Sequence, residues 1–262
     1  MSITHCQCFC FSPTGGTVKI AGAVAEGTGL STKLIDVTLP EHRSQKTVFS
    51  QESLVILAVP VYFGRVAKHA AEALAALRGQ GQAAVLLVTY GNRHYDDALL
   101  ELHDLAVSAG FVPVAAGAFI AEHSFSTPED PMAAGRPDEP DLERAVRFGA
   151  EAMGLLAQGV RKLEAVPGNS PYKPYPDVYR APVQKSPCAL CGQCVSLCPT
   201  AAISISGTGE VSTSEQDCIL CQACVKNCPE GARLDSAPGA AETRERLSPL
   251  VRTRREPEVF ME

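Results

Sequence analysis

The sequence predicts an α/β domain with a five-stranded, doubly wound parallel sheet, followed by a small α+β domain. Two observations predict the first domain: strands and helices alternate along residues 1–164, and the strands are apolar throughout, not only at every second residue. Such strands are buried on both faces, as in a parallel sheet covered by helices. One observation predicts the second domain: eight cysteines between residues 188 and 228 form two copies of one pattern.

The elements of the first domain follow in chain order from apolar runs and turn residues. The predicted strands are residues 3–11, 33–37, 54–60, 83–90 and 111–121. The predicted helices are residues 17–27, 66–77, 95–109 and 141–163, and a proline-rich loop covers 123–140. The absence of a dinucleotide glycine fingerprint favours the strand order 2-1-3-4-5 over a full Rossmann domain. Ligands of such sheets bind beyond the carboxyl ends of strands one and three.

The cysteines carry the strongest signal in the chain. The pattern C-x2-C-x2-C-x3-C-P occurs twice, and the second copy lies thirty positions after the first. The first copy contains Cys188, Cys191, Cys194 and Cys198, and the second contains Cys218, Cys221, Cys224 and Cys228. Three thiolates on one tight loop can bind three corners of an iron–sulfur cube, but the loop cannot bend back to supply the fourth.

We therefore predict two [4Fe–4S] clusters whose fourth ligands are exchanged between the copies. Cluster I would be held by Cys188, Cys191, Cys194 and Cys228, and cluster II by Cys218, Cys221, Cys224 and Cys198. A zinc site usually takes two well-separated C-x2-C pairs, and a disulfide framework would need an exported chain. Residues 187–234 resemble the bacterial two-cluster ferredoxins.

Composition limits the remaining function classes. At 262 residues the chain is long enough for about two domains. We expect no membrane span and no signal peptide, because no apolar run is long enough and no basic region precedes an apolar stretch. A cytoplasmic location follows as an expectation. The formal net charge is −6, and oxidised clusters would make it more negative, so we expect no nucleic-acid partner.

The loop after the first strand has the composition of a phosphate-binding loop. It reads Ser12-Pro13-Thr14-Gly15-Gly16-Thr17 and precedes a predicted helix. Glycines let backbone N–H groups turn inward, hydroxyls can donate, and a helix N-terminus favours an anion. No Lys-Ser/Thr pair closes the loop, so it is not a Walker loop. An ordinary Ser/Thr helix cap is the alternative.

With this loop, the first domain resembles the flavodoxins. Their FMN phosphate loop is similar to Ser12, Thr14, Gly15, Gly16 and Thr17. Their two loops that flank the isoalloxazine ring are similar to two segments here: Pro60, Val61, Tyr62, Phe63 and Gly64, and Tyr90, Gly91, Asn92, Arg93, Tyr95 and Asp97. The resemblance implies that Tyr62 and Tyr95 stack on the ring and that Asn92 makes a polar contact. The alternative is that both tyrosines are rim aromatics that cap the core.

Other residues have less specific interpretations. Arg65 and Arg93 would either offset the charge of reduced flavin or be solvated. Cys6, Cys8 and Cys10 alternate along the first strand and are expected to pack as small apolar side chains. His94 is expected to be structural or solvent-facing.

Two segments lie outside the predicted domains. Residues 165–185 contain five prolines and three tyrosines, which predicts a semi-rigid linker lying against a domain surface. The second domain would then occupy residues 186–235. The tail, residues 236–262, is expected either to fold back and pack Phe260 between the domains or to be disordered.

The two resemblances together imply a flavodoxin-like domain fused to a two-cluster ferredoxin, similar to a fusion family common in anaerobes. The first hypothesis is an electron-transfer protein that passes electrons between two [4Fe–4S] clusters and FMN, with a redox protein or a small-molecule acceptor as partner. An oxidoreductase is its enzymatic form. The alternative is a redox sensor or docking module whose flavodoxin-like domain binds no flavin. The sequence leaves the direction of flow and the oligomeric state open.

Overall fold

A parallel sheet forms the centre of the first domain in this computed structural model, which describes residues 3–159, 162–185, 187–235 and 239–261. Its strands are β1 (His5–Cys10), β2 (Ser31–Asp36), β3 (Ser53–Tyr62), β4 (Arg65–Val66), β5 (Ala83–Tyr90) and β6 (Val112–Ile120). The parallel strands run in the order β2-β1-β3-β5-β6, while the short β4 pairs antiparallel with β3. This confirms the predicted order 2-1-3-4-5 of a doubly wound sheet.

Helices cover both faces of the sheet. They are α1 (Gly16–Gly27), α2 (Pro40–Arg43), α3 (Lys68–Ala75), α4 (Ala98–Ser108) and α5 (Glu139–Ala157). One face packs against α1 and α5 and contains Cys6, Cys8 and Cys10, all buried among apolar side chains. Burial raises the pKa of Cys6 to about 11, so this thiol stays neutral and packs as expected. None of the helices among the described residues is long and apolar enough to cross a membrane.

Helices α3, α4 and α5 begin two or three residues away from their predicted starts, each for a local reason. Helix α3 begins late because the preceding residues form β4. Helix α4 begins at Ala98, after Asp96 has adopted a left-handed φ of 45°. Helix α5 begins earlier than predicted, at Glu139, because Asp138 and Asp141 form a reciprocal capping box. It ends at Ala157, short of the predicted residue 163.

The cysteine-rich region folds as a small α+β unit. It contains two antiparallel strand pairs, β7 (Val183–Gln184) with β10 (Arg233–Leu234) and β8 (Ile203–Ile205) with β9 (Val211–Thr213). Two short helices, α6 (Gln193–Ser196) and α7 (Ala223–Lys226), each carry the third cysteine of one motif. Leu190 and Leu220, thirty positions apart, have nearly equal left-handed φ angles of 53° and 57°. The two motif copies therefore share their backbone conformation.

The described part of the tail is ordered and returns to the first domain. It forms α8 (Ala240–Leu247), a 3-10 turn (Ser248–Leu250) and β11 (Glu258–Phe260). Strand β11 pairs antiparallel with β6, with Phe260 opposite Ala116, and makes the main sheet seven-stranded. Phe260 therefore packs at the edge of the sheet and not between the domains, and the alternative of a disordered tail is also wrong for these residues. The added strand covers an edge that would otherwise expose unpaired backbone groups.

The linker lies against the first domain, as its tyrosines suggested. The Tyr172 hydroxyl donates to Asp104 at 2.5 Å, and the Tyr175 hydroxyl donates to the Val66 carbonyl. The Arg65 guanidinium lies over both rings, 4.7 Å from the centroid of Tyr172 and 5.2 Å from that of Tyr175. These contacts hold the chain between the two domains against β4 and α4.

Two polar contacts join the cysteine-rich unit to the first domain. Lys226 of α7 pairs with Glu122, just after β6, with the Nζ and Oε1 atoms 2.6 Å apart. Arg43 of α2 donates to the carbonyl of Pro199 at 2.6 Å. The unit therefore contacts the carboxyl-end side of the sheet through Glu122, where the ligand loops were predicted.

Candidate functional site

The loop after β1 leads into a helix N-terminus that is only partly capped. Gly15 adopts φ 84° and, having no side chain, does not cap α1, which begins at Gly16. The hydroxyl of Ser12 accepts from the N–H of Val18 at 3.1 Å, which fixes the loop. In the described part of the chain, the N–H groups of Gly16 and Thr17 donate to no protein acceptor. Such free donors at a helix start are what a phosphate group binds.

Thr17 contributes to this loop in a different way from that predicted. Its hydroxyl lies 2.6 Å from the hydroxyl of Thr89 on β5, and both side chains are buried. The side chain therefore ties α1 to the sheet, and only the backbone N–H of Thr17 is left for a ligand.

Two connected cavities lie above the carboxyl ends of the strands. The smaller, the loop pocket, has a volume of about 50 Å³ and reaches the loop after β1. The larger, the main cleft, has a volume of about 410 Å³, within the range of small-molecule and cofactor sites. Most predicted flavin-binding residues line one or both cavities: Thr14, Gly16, Thr17, Pro60, Val61, Tyr62, Phe63, Gly64, Tyr90, Gly91 and Arg93.

Elements from elsewhere in the chain complete the main cleft. The linker supplies Lys173, Pro174 and Pro176, and α8 with the following turn supplies Arg246, Leu247 and Leu250. The cysteine-rich unit supplies Ile219 and Leu220, from the loop between two predicted cluster ligands. Sequence patterns give no indication of these walls, because they come from segments far apart along the chain.

Tyr95 lies in the core and not in the cleft, so the prediction that it stacks on a bound ring is wrong. Its side chain is 2% exposed, and its hydroxyl donates to Glu258 of β11 at 2.9 Å. The ring of His94 stacks on Tyr95, with centroids 4.9 Å apart, and His94 is the residue that lines the cleft. His94, which was expected to be structural or solvent-facing, is therefore part of the cleft wall. Tyr62, the other predicted stacking residue, does line both cavities.

Asn92 binds the tail, which corrects its predicted contact with a ligand. Its Nδ2 donates to the carbonyls of Val251 and Thr253 at 2.7 and 2.8 Å, and its Oδ1 accepts from the N–H of Arg255 at 3.0 Å. The side chain is 2% exposed, so its hydrogen-bonding capacity is used within the protein.

Removing the Asn92 side chain is expected to destabilise the fold. We expect Asn92→Gly, which keeps the left-handed φ of 63° accessible, to lower the free energy of unfolding by about 3 kcal/mol, because buried backbone groups of the tail lose their partners. Denaturant titration of the isolated protein measures this change. Thr253→Ala is the control, since Thr253 contributes only its carbonyl and should change stability by less than about 0.5 kcal/mol. Equal stability of the two variants would contradict the anchoring role.

Asp97 and Arg65 bind the linker. The carboxylate of Asp97 accepts from the N–H groups of Asn169 and Lys173 at 2.9 and 2.8 Å. Arg65 pairs with Glu101 at 2.8 Å and donates to the carbonyl of Lys173. Both side chains are therefore committed to holding the linker, which corrects the predicted ligand contact of Asp97. Arg65 neither lines the cleft nor is solvated.

Cys198 lies with the cysteines of the other motif copy. One small cavity in the cysteine-rich unit is lined by four cysteines, Cys198, Cys218, Cys221 and Cys224. These are the four residues predicted to hold cluster II. Among the described residues no three His, Cys, Asp or Glu side chains lie close enough together to hold a single metal ion. A cubane is bound by four thiolates spread around it, and these four cysteines line one common cavity.

The remaining cysteines share a local geometry with the first four. Cys188 and Cys194 pack on the same small core, while Cys191 is exposed. The sulfur of Cys198 accepts from the N–H of Ala202 at 3.3 Å, and that of Cys228 accepts from the N–H of Ala232 at 3.2 Å. Bonds of this kind stabilise a thiolate and tune a cluster bound to it. The sulfurs of Cys198 and Cys228 are therefore equivalent in the two copies.

Burial makes these thiols poor acids in the absence of a metal. It raises the pKa of Cys218 to about 11 and raises that of Cys221 further. Thiolate ligands at these positions thus depend on the positive charge of bound iron, so metal binding would release protons.

The four-cysteine cavity and the main cleft meet at one residue. Ile219 lines both, so the two sites adjoin at this residue. Tyr62 lines the cleft and is influenced by one cysteine of the four-cysteine cavity. Burial, and next the charge of Cys221, raise the pKa of Tyr62 well above its ordinary value.

The strand order and the cysteine geometry define the class of protein: a flavodoxin-like domain joined to an iron–sulfur domain. Residues 183–232 match the family model described as a 4Fe-4S dicluster domain. The chain therefore combines a flavodoxin-like domain with a 4Fe–4S dicluster domain, an organisation that indicates electron transfer.

Among solved structures, the similar ones include several flavodoxin-type proteins. A flavodoxin of Streptococcus pneumoniae is 19% identical, covering 58% of this chain and 99% of that one, with a TM-score of 0.39. A flavodoxin, WrbA-like protein of Agrobacterium tumefaciens is 19% identical, covering 59% and 98%, with a TM-score of 0.38. Rubredoxin oxygen:oxidoreductase of Desulfovibrio gigas is 19% identical, covering 59% and 36%, with a TM-score of 0.42. No curated protein sequence matches significantly.

Proposed function

We propose that this protein transfers electrons between two [4Fe–4S] clusters and an FMN bound in the main cleft and loop pocket, linking one-electron donors to a two-electron acceptor. The position of Ile219, in the walls of both the four-cysteine cavity and the main cleft, carries this proposal. Cofactors bound in these two adjoining cavities would be close together within one chain, so transfer between them would need no bimolecular encounter.

Each part of the site has a separate task in this proposal. The N–H groups of Gly16 and Thr17 bind the phosphate, and Tyr62 forms part of the wall around the ring. FMN, when bound, supplies the ability to accept or release electrons singly or in pairs. The linker and α8 form part of the walls of the cleft. A small-molecule acceptor or a redox protein would exchange electrons at whatever edge of the ring these walls leave open.

A sensor or docking module without flavin is the second candidate. One specific observation favours it: Asn92, Tyr95 and Asp97, three of the predicted flavin-binding residues, hold the tail and the linker in place. In that case the cleft would be a passive gap between domains, and the iron–sulfur unit alone would respond to redox state.

Cofactor counting and reduction under anaerobic conditions distinguish these candidates. We expect the protein isolated without oxygen to contain iron and sulfide for two cubane clusters, and to bind one FMN per chain. A single one-electron reductant should bleach both the iron–sulfur and the flavin absorption, because the centres exchange electrons. Visible spectroscopy with quantitative iron, sulfide and flavin determination provides the measurement. Full cluster content with no flavin bound at any added FMN concentration would favour the sensor.

A further inference from the structure

Arg233 is a buried arginine at an unusual place in the internal repeat. It opens β10 and is 2% exposed, and it stands thirty positions after Ile203, which opens β8. Both residues follow the last cysteine of their motif by five positions, so they are equivalent in the two copies. The second copy has therefore placed a cation where the first has an apolar side chain.

The protein leaves part of this guanidinium without partners. Its Nη2 donates to the carbonyl of Pro182 at 2.7 Å and to the hydroxyl of Thr213. Its Nε and Nη1 atoms are buried and have no acceptor among the described residues. A buried arginine normally has a carboxylate or several acceptors, because an uncompensated charge in the interior is costly. Two N–H-bearing atoms of this guanidinium are therefore left for an acceptor outside the described protein groups.

The contacts of Arg233 place it beside the predicted cluster region. Its two acceptors, the carbonyl of Pro182 and the hydroxyl of Thr213, belong to residues that line the four-cysteine cavity. Cys194, a predicted ligand of cluster I, and Cys224, a predicted ligand of cluster II, pack on one small core. Burial raises the pKa of both thiols, and the positive charge of Arg233 opposes that rise.

We propose that Arg233 is a positioning residue for both clusters: its Nε–H and Nη1–H groups bind cluster sulfur, and its charge raises the reduction potential of cluster I and cluster II together. Reduction adds one electron to a cluster that already carries net negative charge, and a nearby cation stabilises the more negative state. This inference rests on the proposed iron–sulfur ligation but not on FMN.

The test is a redox titration of the full-length protein, with each cluster followed by electron paramagnetic resonance. Arg233→Ile copies the residue of the first repeat and removes the cation without adding a polar group. We expect the equilibrium constant for reducing each cluster to fall about tenfold, which is a shift of about 59 mV for a one-electron couple. Arg252→Ile, at an exposed arginine of the tail, is the control and should leave both potentials unchanged.

A second variant tests the proposal if the Arg233→Ile protein fails to assemble its clusters. Arg233→Gln keeps a donor for the carbonyl of Pro182 but removes the charge, and it should lower both potentials in the same direction. Unchanged potentials in a charge-removing variant with full iron and sulfide content would overturn the proposal. A shift confined to one cluster would also overturn it. Wild-type protein without clusters would instead refute the proposed function itself, so the two failures are distinguishable.

Discussion

Cys198→Ala is expected to remove about half of the iron and to abolish electron exchange between the iron–sulfur unit and the flavin. Although Cys198 belongs to the first motif, it lines one cavity with Cys218, Cys221 and Cys224 of the second. That cavity adjoins the main cleft through Ile219, so a cluster held there would be the one adjacent to the proposed flavin site. A cluster without its fourth thiolate is lost or degraded, and the electron path is then broken at its last step.

Cys228→Ala is the matched control, because Cys228 is the equivalent residue of the other copy. It should also remove about half of the iron, but from cluster I, and leave the cluster next to the cleft intact. Iron and sulfide analysis measures the loss in both variants. Anaerobic flash reduction, which injects one electron, then follows its equilibration between cluster and flavin. We expect equilibration in Cys228→Ala and none in Cys198→Ala. The reverse result would mean that each motif keeps its own fourth cysteine.

The sheet and the cysteine pattern could be predicted from the sequence because their signals are local. Strand β3 is apolar on both faces, which is possible only in the interior of a covered sheet. The motif spacing follows from the size of a cubane and the reach of a tight loop. Neither inference needs knowledge of distant contacts, and the strand order was accordingly correct.

The role of the polar loop residues could not be predicted, because it depends on partners far away in sequence. Asn92 binds backbone carbonyls about 160 positions later, and Asp97 binds backbone N–H groups of the linker. Any residue type can supply a backbone N–H or carbonyl partner, so the sequence does not show which segment a polar side chain will bind. An Asn or Asp in a loop can therefore bind a ligand or hold another segment of the chain equally well. Strand β11 was not predicted for the same reason. It is only three residues long, and the sequence does not show that the edge of the sheet at β6 is available for pairing.

Gly16→Ala is expected to weaken FMN binding by at least about tenfold, or about 1.4 kcal/mol. A Cβ at this position would lie 2.8 Å from the Cβ of Ala121, the residue that follows β6. Side-chain carbons do not approach that closely, so the start of α1 would have to move away from the sheet. The N–H groups of Gly16 and Thr17 move with it, and charge-assisted hydrogen bonds to a phosphate weaken when donors are displaced.

Gly22→Ala provides the control within the same helix. A Cβ there meets nothing within 4 Å, so the substitution should stabilise α1 by up to about 1 kcal/mol and leave FMN affinity unchanged. Fluorescence titration with FMN and thermal unfolding of the flavin-free variants separate the two effects. If Gly16→Ala bound FMN as tightly as Gly22→Ala, the flavin phosphate would not occupy the loop after β1. The free donors of that helix start would then serve another anion, and the main cleft would have to hold the flavin by its ring alone.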